Sequence, residues 1–403
     1  MSKSILFVDD EPNILTGLQR TLRPMRDQWE MEFVSSGREA LEHLALHPFD
    51  AVVTDMRMPG MSGAELLDRI QDEFPQTIRI ILSGQSDRES ILRSIAPAHQ
   101  FLSKPCDVAR LRSLLESTIA LTAQLDNASL KKFMSQLKCI PSLPVLYQEI
   151  TRELRSTDPS PSRIGAIIER DMGMTAKILQ VVNSAVYGTR AEIAEPGGAV
   201  LLLGLDTIQV MVLSLSIFSA FDPHVLSSQE VECIWEHSVS VSRFSKLIAK
   251  AEGVAAHALD PYQSAGLLHD IGKVVLASAD PVVYRKVHDL AASTKASPWL
   301  LEREMLGCSH AEIGGYLLGM WGLPASIVEA VTWHHRPSDS PATAFSPLTA
   351  VHVASAFYAQ LHPELKRGDP HLDDEFLERI GLVDRKTAWM QLCKEASADG
   401  QLK

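Results

Sequence analysis

The sequence predicts a two-part chain: an α/β doubly wound, five-stranded parallel sheet at the N-terminus, then an all-α region. Two observations carry this. Within residues 1–121, short apolar runs alternate five times with segments of helical periodicity. Near-continuous apolar strands need a sheet covered on both faces. From residue 140 onward no run reads as a strand, and apolar residues recur at helical spacing between Pro and Gly breaks. The balance of 45% hydrophobic and 22% charged residues fits ordinary globular domains.

The strands are expected at 4–9 (SILFVD), 30–34 (EMEFV), 50–55 (DAVVTD), 78–83 (IRIILS) and 100–103 (QFLS). The helical patterns between them cover 12–23, 37–46, 62–73, 87–96 and 107–121. Reactive groups of such sheets gather at the carboxyl ends of the strands. Asp9 and Asp10 end the first strand, Asp55 the third and Ser83 the fourth, while Lys104 follows the fifth. Three carboxylates at one edge repel one another unless a cation joins them. Lys104 is one candidate, and Mg²⁺, which favours oxygen ligands, is the other.

This placement resembles a response-regulator receiver domain over the whole of 1–121. The resemblance implies that Asp55 accepts a phosphoryl group from a histidine kinase. It implies that Asp10 and Asp55 hold Mg²⁺ through their side chains, with the main-chain carbonyl of Arg57 as a further ligand and Asp9 acting mostly through water. Ser83 and Lys104 would contact the phosphoryl group, and Phe101 takes the place of the switch aromatic. The chemistry is consistent: a carboxylate attacks a phosphohistidine donor while metal and lysine neutralise the phosphoryl oxygens.

Residues 122–138 read as a helical linker continuing the last receiver helix, able to transmit a signal or to form a homodimer. In 158–188, Ser160 or Ser162 is placed as a helix N-cap. The most apolar stretch, 199–221, reads as a buried helix of an all-helical domain, because its charge-free part is too short to span a bilayer.

The blocks "IPSLP", "ERDMGMTAKILQVVNSAVYG" and "LLGLDTIQ" resemble an HDOD domain across roughly 140–340. That group is similar in fold to the HD and HD-GYP phosphohydrolases, so the resemblance implies where a metal centre would lie. His237 fits the upstream histidine, and His269 with Asp270 in "SAGLLHDIGKVV" fits the His-Asp pair. His310, His334 and His335 fit the additional histidines of a two-metal site, and Lys273 stands where a phosphate contact is found. Imidazole and carboxylate ligands suit Fe, Mn or Zn, and paired metals could activate water.

Two departures weigh against catalysis. The downstream acid of the metal set falls on Ser355, a neutral hydroxyl, and the loop after His335 reads "RPSDSPATAFSP" in place of the GYP motif. The expected output is therefore non-enzymatic, a protein–protein interaction with an unnamed target. A metal-dependent cyclic dinucleotide phosphodiesterase and a nucleotide or metal sensor are the alternatives. Taken without the resemblance, the same His and Asp residues read as a buried hydrogen-bond network that fixes helix register.

The expected layout is a receiver at 1–121, a linker at 122–138, the HDOD domain at 139–345 and a helical extension at 346–403 packing on it. In that extension Asp384 is read as an N-cap, with fraying from about Ser397. The formal charge is −12, with 13 basic against 18 acidic side chains in 1–121, and no basic cluster marks a DNA-binding face. The scattered Cys106, Cys139, Cys233, Cys308 and Cys393 form no Cys-x-x-Cys, which points to reduced thiols in a cytoplasm. The acidic N-terminus is no signal peptide, and no membrane association is expected.

Overall fold

The computed structural model describes residues 3–74, 77–83, 100–103 and most of 145–170, 195–219, 228–363 and 369–401, with a few short pieces between them. The chain divides into two compact units, one built on residues 1–143 together with Tyr316–Leu323 and the other on 144–315 and 324–403.

In the first unit five parallel strands pair in the order β2-β1-β3-β4-β5. They are β1 (Lys3–Val8), β2 (Trp29–Val34), β3 (Ala51–Asp55), β4 (Ile78–Ser83) and β5 (Gln100–Ser103). The register sets Phe7 beside Phe33 on one side and Val53 on the other. Ile5, Leu6, Phe7 and Val8 are all buried, as a central strand covered on both faces requires.

Helices α1 (Pro12–Thr21), α2 (Gly37–Leu46) and α3 (Gly63–Glu73) connect the first strands. Ser36 caps α2 by accepting from the Glu39 N–H, and Ser62 with Glu65 forms a capping box on α3. The strand order reverses between β1 and β3, which places a crevice at their carboxyl ends. The expected helix at 87–96, most of 107–121 and most of the linker lie outside the described residues.

The second unit is helical. Its described helices begin with α4 (Val145–Leu154), α5 (Pro161–Ile168), α6 (Pro196–Leu203), α7 (Leu205–Ser219) and α8 (Ser228–Ala251). They continue with α9 (Asp260–Leu268), α10 (Ile271–Ala279), α11 (Pro281–Thr294), α12 (Pro298–Leu306) and α13 (His310–Met320). The last four are α14 (Ala325–Trp333), α15 (Pro347–Leu361), α16 (Asp374–Arg379) and α17 (Lys386–Gln401).

The apolar stretch at 199–221 is not one buried helix. Gly204, at φ +86°, ends α6 before α7 begins, and Leu201 and Leu202 are exposed. Ser160 holds the N-cap position of α5, but its side chain makes no capping bond. Its backbone N–H goes instead to Glu153. No helix among the described residues is long and apolar enough to cross a membrane.

The boundary expected near residue 345 falls inside this unit. Helix α15 is buried from Pro347 through Ala359 and packs on α8 and α14. The segment beyond it is anchored by Trp389, fully buried, whose indole Nε1–H donates to Glu252 Oε1 at 2.8 Å. Arg243 Nη1 donates to the Ala396 carbonyl at 3.0 Å. Asp384 sits within a 3-10 turn (Val383–Arg385) ahead of α17 and does not cap it, and α17 runs on to Gln401.

Candidate functional site

At the sheet edge of the first unit, β1 delivers Asp9 and Asp10 and β3 delivers Asp55, as the sequence predicts. Asp9 is buried, and its Oδ1 accepts the Glu11 N–H at 2.9 Å. Asp10 is partly exposed. Asp55 is 8% exposed, and its Oδ2 accepts the Arg57 N–H at 2.7 Å. The chain then turns so tightly that a Cβ on Gly63 would stand 2.0 Å from the Asp55 carbonyl oxygen. Only glycine fits there, so Gly63 sets how α3 meets the end of β3. Lys104 lies outside the described residues. Ser83 and Phe101 place their backbones on β4 and β5, and their side chains are likewise outside the description.

The second unit brings all six histidine and aspartate residues singled out in the sequence into one cluster. His237 comes from the middle of α8. His269 and Asp270 form the junction where α9 ends and α10 starts. His310 opens α13, and His334 and His335 follow α14. Gly272 makes the approach possible: a Cβ there would lie 1.9 Å from the His310 carbonyl oxygen, so α10 touches the start of α13 backbone to backbone.

Asp270 is the hub. Its Oδ1 lies 3.2 Å from His310 Nε2 and 3.9 Å from His334 Nε2. Its Oδ2 lies 3.5 Å from His269 Nε2, 3.6 Å from His237 Nε2 and 2.6 Å from Lys273 Nζ. His269 Nε2 and His237 Nε2 are 3.2 Å apart, and His310 Nε2 and His335 Nε2 are 3.1 Å apart. Ligand atoms around a tetrahedral ion at about 2.1 Å stand about 3.4 Å from one another. The cluster has that spacing. It resolves into two overlapping donor groups, Asp270 with His310, His334 and His335, and Asp270 with His237 and His269.

The outer nitrogens fix which way the rings present their lone pairs. His269 Nδ1 meets the Gly266 carbonyl at 2.8 Å, His334 Nδ1 the Val331 carbonyl at 2.8 Å, and His310 Nδ1 the Glu302 carboxylate at 2.7 Å. Those partners are acceptors, so each Nδ1 carries a proton and each Nε2 is turned toward Asp270, as a lone pair on His269 and His334 and hydrogen-bonded to the Asp270 carboxylate on His310. His334 Nε2 is buried and has no hydrogen-bond partner. An imidazole in this posture is set up for a cation, and the donor set fits a divalent transition metal.

Electrostatics follow the same division. Burial holds His269 below the usual histidine range despite Asp270 beside it. Burial, reinforced by the neighbouring imidazoles, holds His334 and His335 well below it. For His310 burial acts downward too, but the Glu302 and Asp270 carboxylates outweigh it and raise the ring. Burial alone would raise Asp270. His269, Lys273 and His310 overcome that and keep it well below the ordinary carboxylate value.

Sequence reading missed three supports. Glu302 is 2% exposed, and its Oε2 takes both the N–H and the Nδ1–H of His310, each at 2.7 Å. Trp299 stacks on His335 at 5.6 Å and is held by a 2.8 Å hydrogen bond from its Nε1 to Asp369. His352, on α15, donates from Nδ1 to the His334 carbonyl at 2.7 Å and accepts the Asp373 N–H at 2.9 Å. Glu302 stands eight residues before His310, a spacing that marks no motif. Ser355, which replaces the expected acid, is buried on the same helix as Tyr358, whose ring packs edge-on against His237 at 4.7 Å.

Comparison with known proteins agrees with this division. The response regulator receiver domain model matches residues 5–116, and the HDOD domain model matches residues 140–337. An uncharacterized protein of Treponema pallidum is 31% identical over 202 residues, covering 50% of this chain and 39% of that protein. Response regulator protein PilR of Pseudomonas aeruginosa is 34% identical over 161 residues, covering 38% of this chain and 34% of its own. The chain thus spans between a third and two fifths of the length of these relatives. In fold, the second unit is similar to an HDOD domain protein of Geobacter sulfurreducens, with TM-score 0.54 and 24% identity over 68% of this chain and 94% of that one. Matched in both its parts, the chain carries a response regulator receiver domain at residues 5–116 and an HDOD domain at 140–337.

Proposed function

We propose that phosphoryl transfer to Asp55 from a histidine kinase controls this response regulator, and that its HDOD unit answers by protein–protein contact around a buried divalent-metal centre. For the receiver, the supporting observation is the convergence of Asp9, Asp10 and Asp55 at the switch point of the sheet, with Asp55 at the strand terminus. Asp10, Asp55 and the Arg57 carbonyl would hold Mg²⁺, with Asp9 acting through water. Ser83 and Lys104 would meet the phosphoryl oxygens, and Phe101 would report the change. A new dianion at that edge is a local charge event able to bias a two-state interface.

For the HDOD unit, the carrying observation is the set of Nε2 atoms of His269, His310 and His334 turned toward Asp270 by acceptors on their far sides. His237 and His335 complete the donor set. An Fe, Mn or Zn ion bound there would supply Lewis-acid charge. Glu302 orients His310, and Lys273 offsets the charge of Asp270. Phosphoester hydrolysis, with a cyclic dinucleotide as its substrate, is a second reading, favoured by the survival of Lys273 beside the His-Asp pair. Ser355, which stands where the acid that would orient the attacking water is expected, and the loop after His335 weigh against it.

The test uses the full chain. Incubation with a small-molecule phosphodonor and Mg²⁺ should give a slower band on a phosphate-affinity gel, lost in Asp55→Asn. Beryllofluoride should change which proteins the chain captures, again only when Asp55 is present. Unchanged capture would overturn the phosphorylation-controlled output. Turnover of a cyclic dinucleotide by metal-reconstituted protein, lost in His269→Ala, would establish hydrolysis in place of the scaffold.

A further inference from the structure

The two donor groups around Asp270 are not equivalent. The group on Oδ1 has four donors: Asp270 itself and the Nε2 atoms of His310, His334 and His335. The group on Oδ2 has three, Asp270 with His237 and His269. No carboxylate on the neighbouring face of α15 makes up the difference, since that helix presents the Tyr358 ring to His237 and holds Ser355 where an acid is expected. The Oδ2 atom is also already engaged. Lys273 Nζ sits 2.6 Å from it, closer than either imidazole, at the end of a side chain only 16% exposed.

Charge points the same way. The described side chains of the cluster contribute two carboxylates, Asp270 and Glu302, and one ammonium, Lys273, besides the imidazoles. One divalent ion leaves the group at a modest positive charge. A second ion would raise it steeply, in a buried place and against an ammonium paired to the same oxygen.

We infer that this HDOD unit holds a single divalent metal, on Asp270 Oδ1, His310, His334 and His335, and that Lys273 occupies the role of the second cation at Asp270 Oδ2. The inference rests on the metal-centre reading above and deepens it. Here the Lys273 ammonium stabilises Asp270 without adding Lewis acidity.

The test is metal stoichiometry. Full-length protein is stripped, reloaded with Mn²⁺ and gel-filtered, and its metal is counted by mass spectrometry while electron paramagnetic resonance separates isolated from spin-coupled Mn²⁺. The expected result is about one equivalent per chain with an uncoupled spectrum. His237→Gln should keep that ion and His334→Gln should lose it. Lys273→Met should gain a second ion and a coupled signal. Two equivalents in the unmodified protein, or an ion that survives His334→Gln and is lost in His237→Gln, overturns this inference and leaves the metal centre standing. No bound metal in the unmodified protein overturns the metal centre and this inference together.

Discussion

Glu302→Ala is the sharpest perturbation of the HDOD centre. Glu302 Oε2 accepts both the backbone N–H and the Nδ1–H of His310, at 2.7 Å each, and donor and acceptor residues alike are at most 2% exposed. Removing the carboxylate strands two buried donors, each at a cost of about 1–3 kcal/mol. The expected destabilisation is therefore about 2–6 kcal/mol, or a fall of roughly 1–2 M in the urea midpoint for a unit of this size. Glu302→Gln keeps an acceptor oxygen and loses the charge, so it should cost only about 1 kcal/mol. Trp235, Trp299, Trp333 and Trp389, four of the six tryptophans, lie in the second unit, so indole fluorescence follows chiefly that unit. Metal affinity, read by competition with a chromophoric chelator, should drop about 10–100-fold in the alanine variant, because His310 loses the partner that fixes its tautomer. An alanine variant that unfolds at the wild-type urea concentration would show that the His310 donors are not stranded. One that loses stability and keeps wild-type metal affinity would reduce Glu302 to a packing role.

Three further outcomes follow from the geometry. Gly63→Ala puts a Cβ 2.0 Å from the Asp55 carbonyl oxygen and should cost about 1–3 kcal/mol or more while slowing phosphorylation on the affinity gel. Gly17→Ala, where a Cβ meets nothing within 4 Å, should leave phosphorylation intact. Burial pushes the Cys308 and Cys393 thiols up to about 12, so an aromatic disulfide reagent at neutral pH should leave both unreacted until urea unfolds the chain, as peptide mapping would record. Burial raises Asp369, but hydrogen bonds from Trp299, His371 and Ser297 outweigh it and hold the carboxyl below its ordinary 3.8. Its folded value thus lies under its unfolded one. The stability it contributes is present above about pH 3.8 and is lost as pH falls through the folded value. Asp369→Asn should flatten that part of the acid-unfolding curve, and an unchanged curve would refute the assignment.

The five strands and the first three helices of the first unit were legible because a doubly wound sheet writes two periods into the sequence. Each of the five predicted strands lies within a residue of its place, and the ends of β1 and β3 carry the expected acids. The cluster in the second unit was legible only as a set of residue types. Nothing in the spacing of His237, His269, His310 and His334 says that their Nε2 atoms meet, because that depends on Gly272 letting two helices touch at the backbone. Glu302 and Trp299 were invisible because their roles arise from tertiary contact and not from sequence neighbourhood. The 199–221 stretch misled because hydropathy alone cannot see a glycine in a positive-φ turn.

A buried cluster of this composition is not what a purely adhesive domain would keep. Exchanging a buried ionic group for well-packed apolar side chains is often neutral or favourable by about 1–4 kcal/mol. Helix register alone could be fixed by one satisfied pair, such as Glu302 with His310. Instead the fold spends separate acceptors on the far nitrogens of His269, His310 and His334, and so controls ring rotation at three points on different elements. Rotation matters only if the near nitrogens have something to bind. With His334 Nε2 left without a hydrogen bond, the metal-free cluster carries a desolvation cost of about 1–3 kcal/mol that a bound cation would remove. The local frustration therefore sits at His334 Nε2, one of the proposed metal donors. The Lys273–Asp270 ion pair relieves the same frustration on the opposite oxygen, which is why the two halves of the cluster, so alike in residue type, are expected to behave differently.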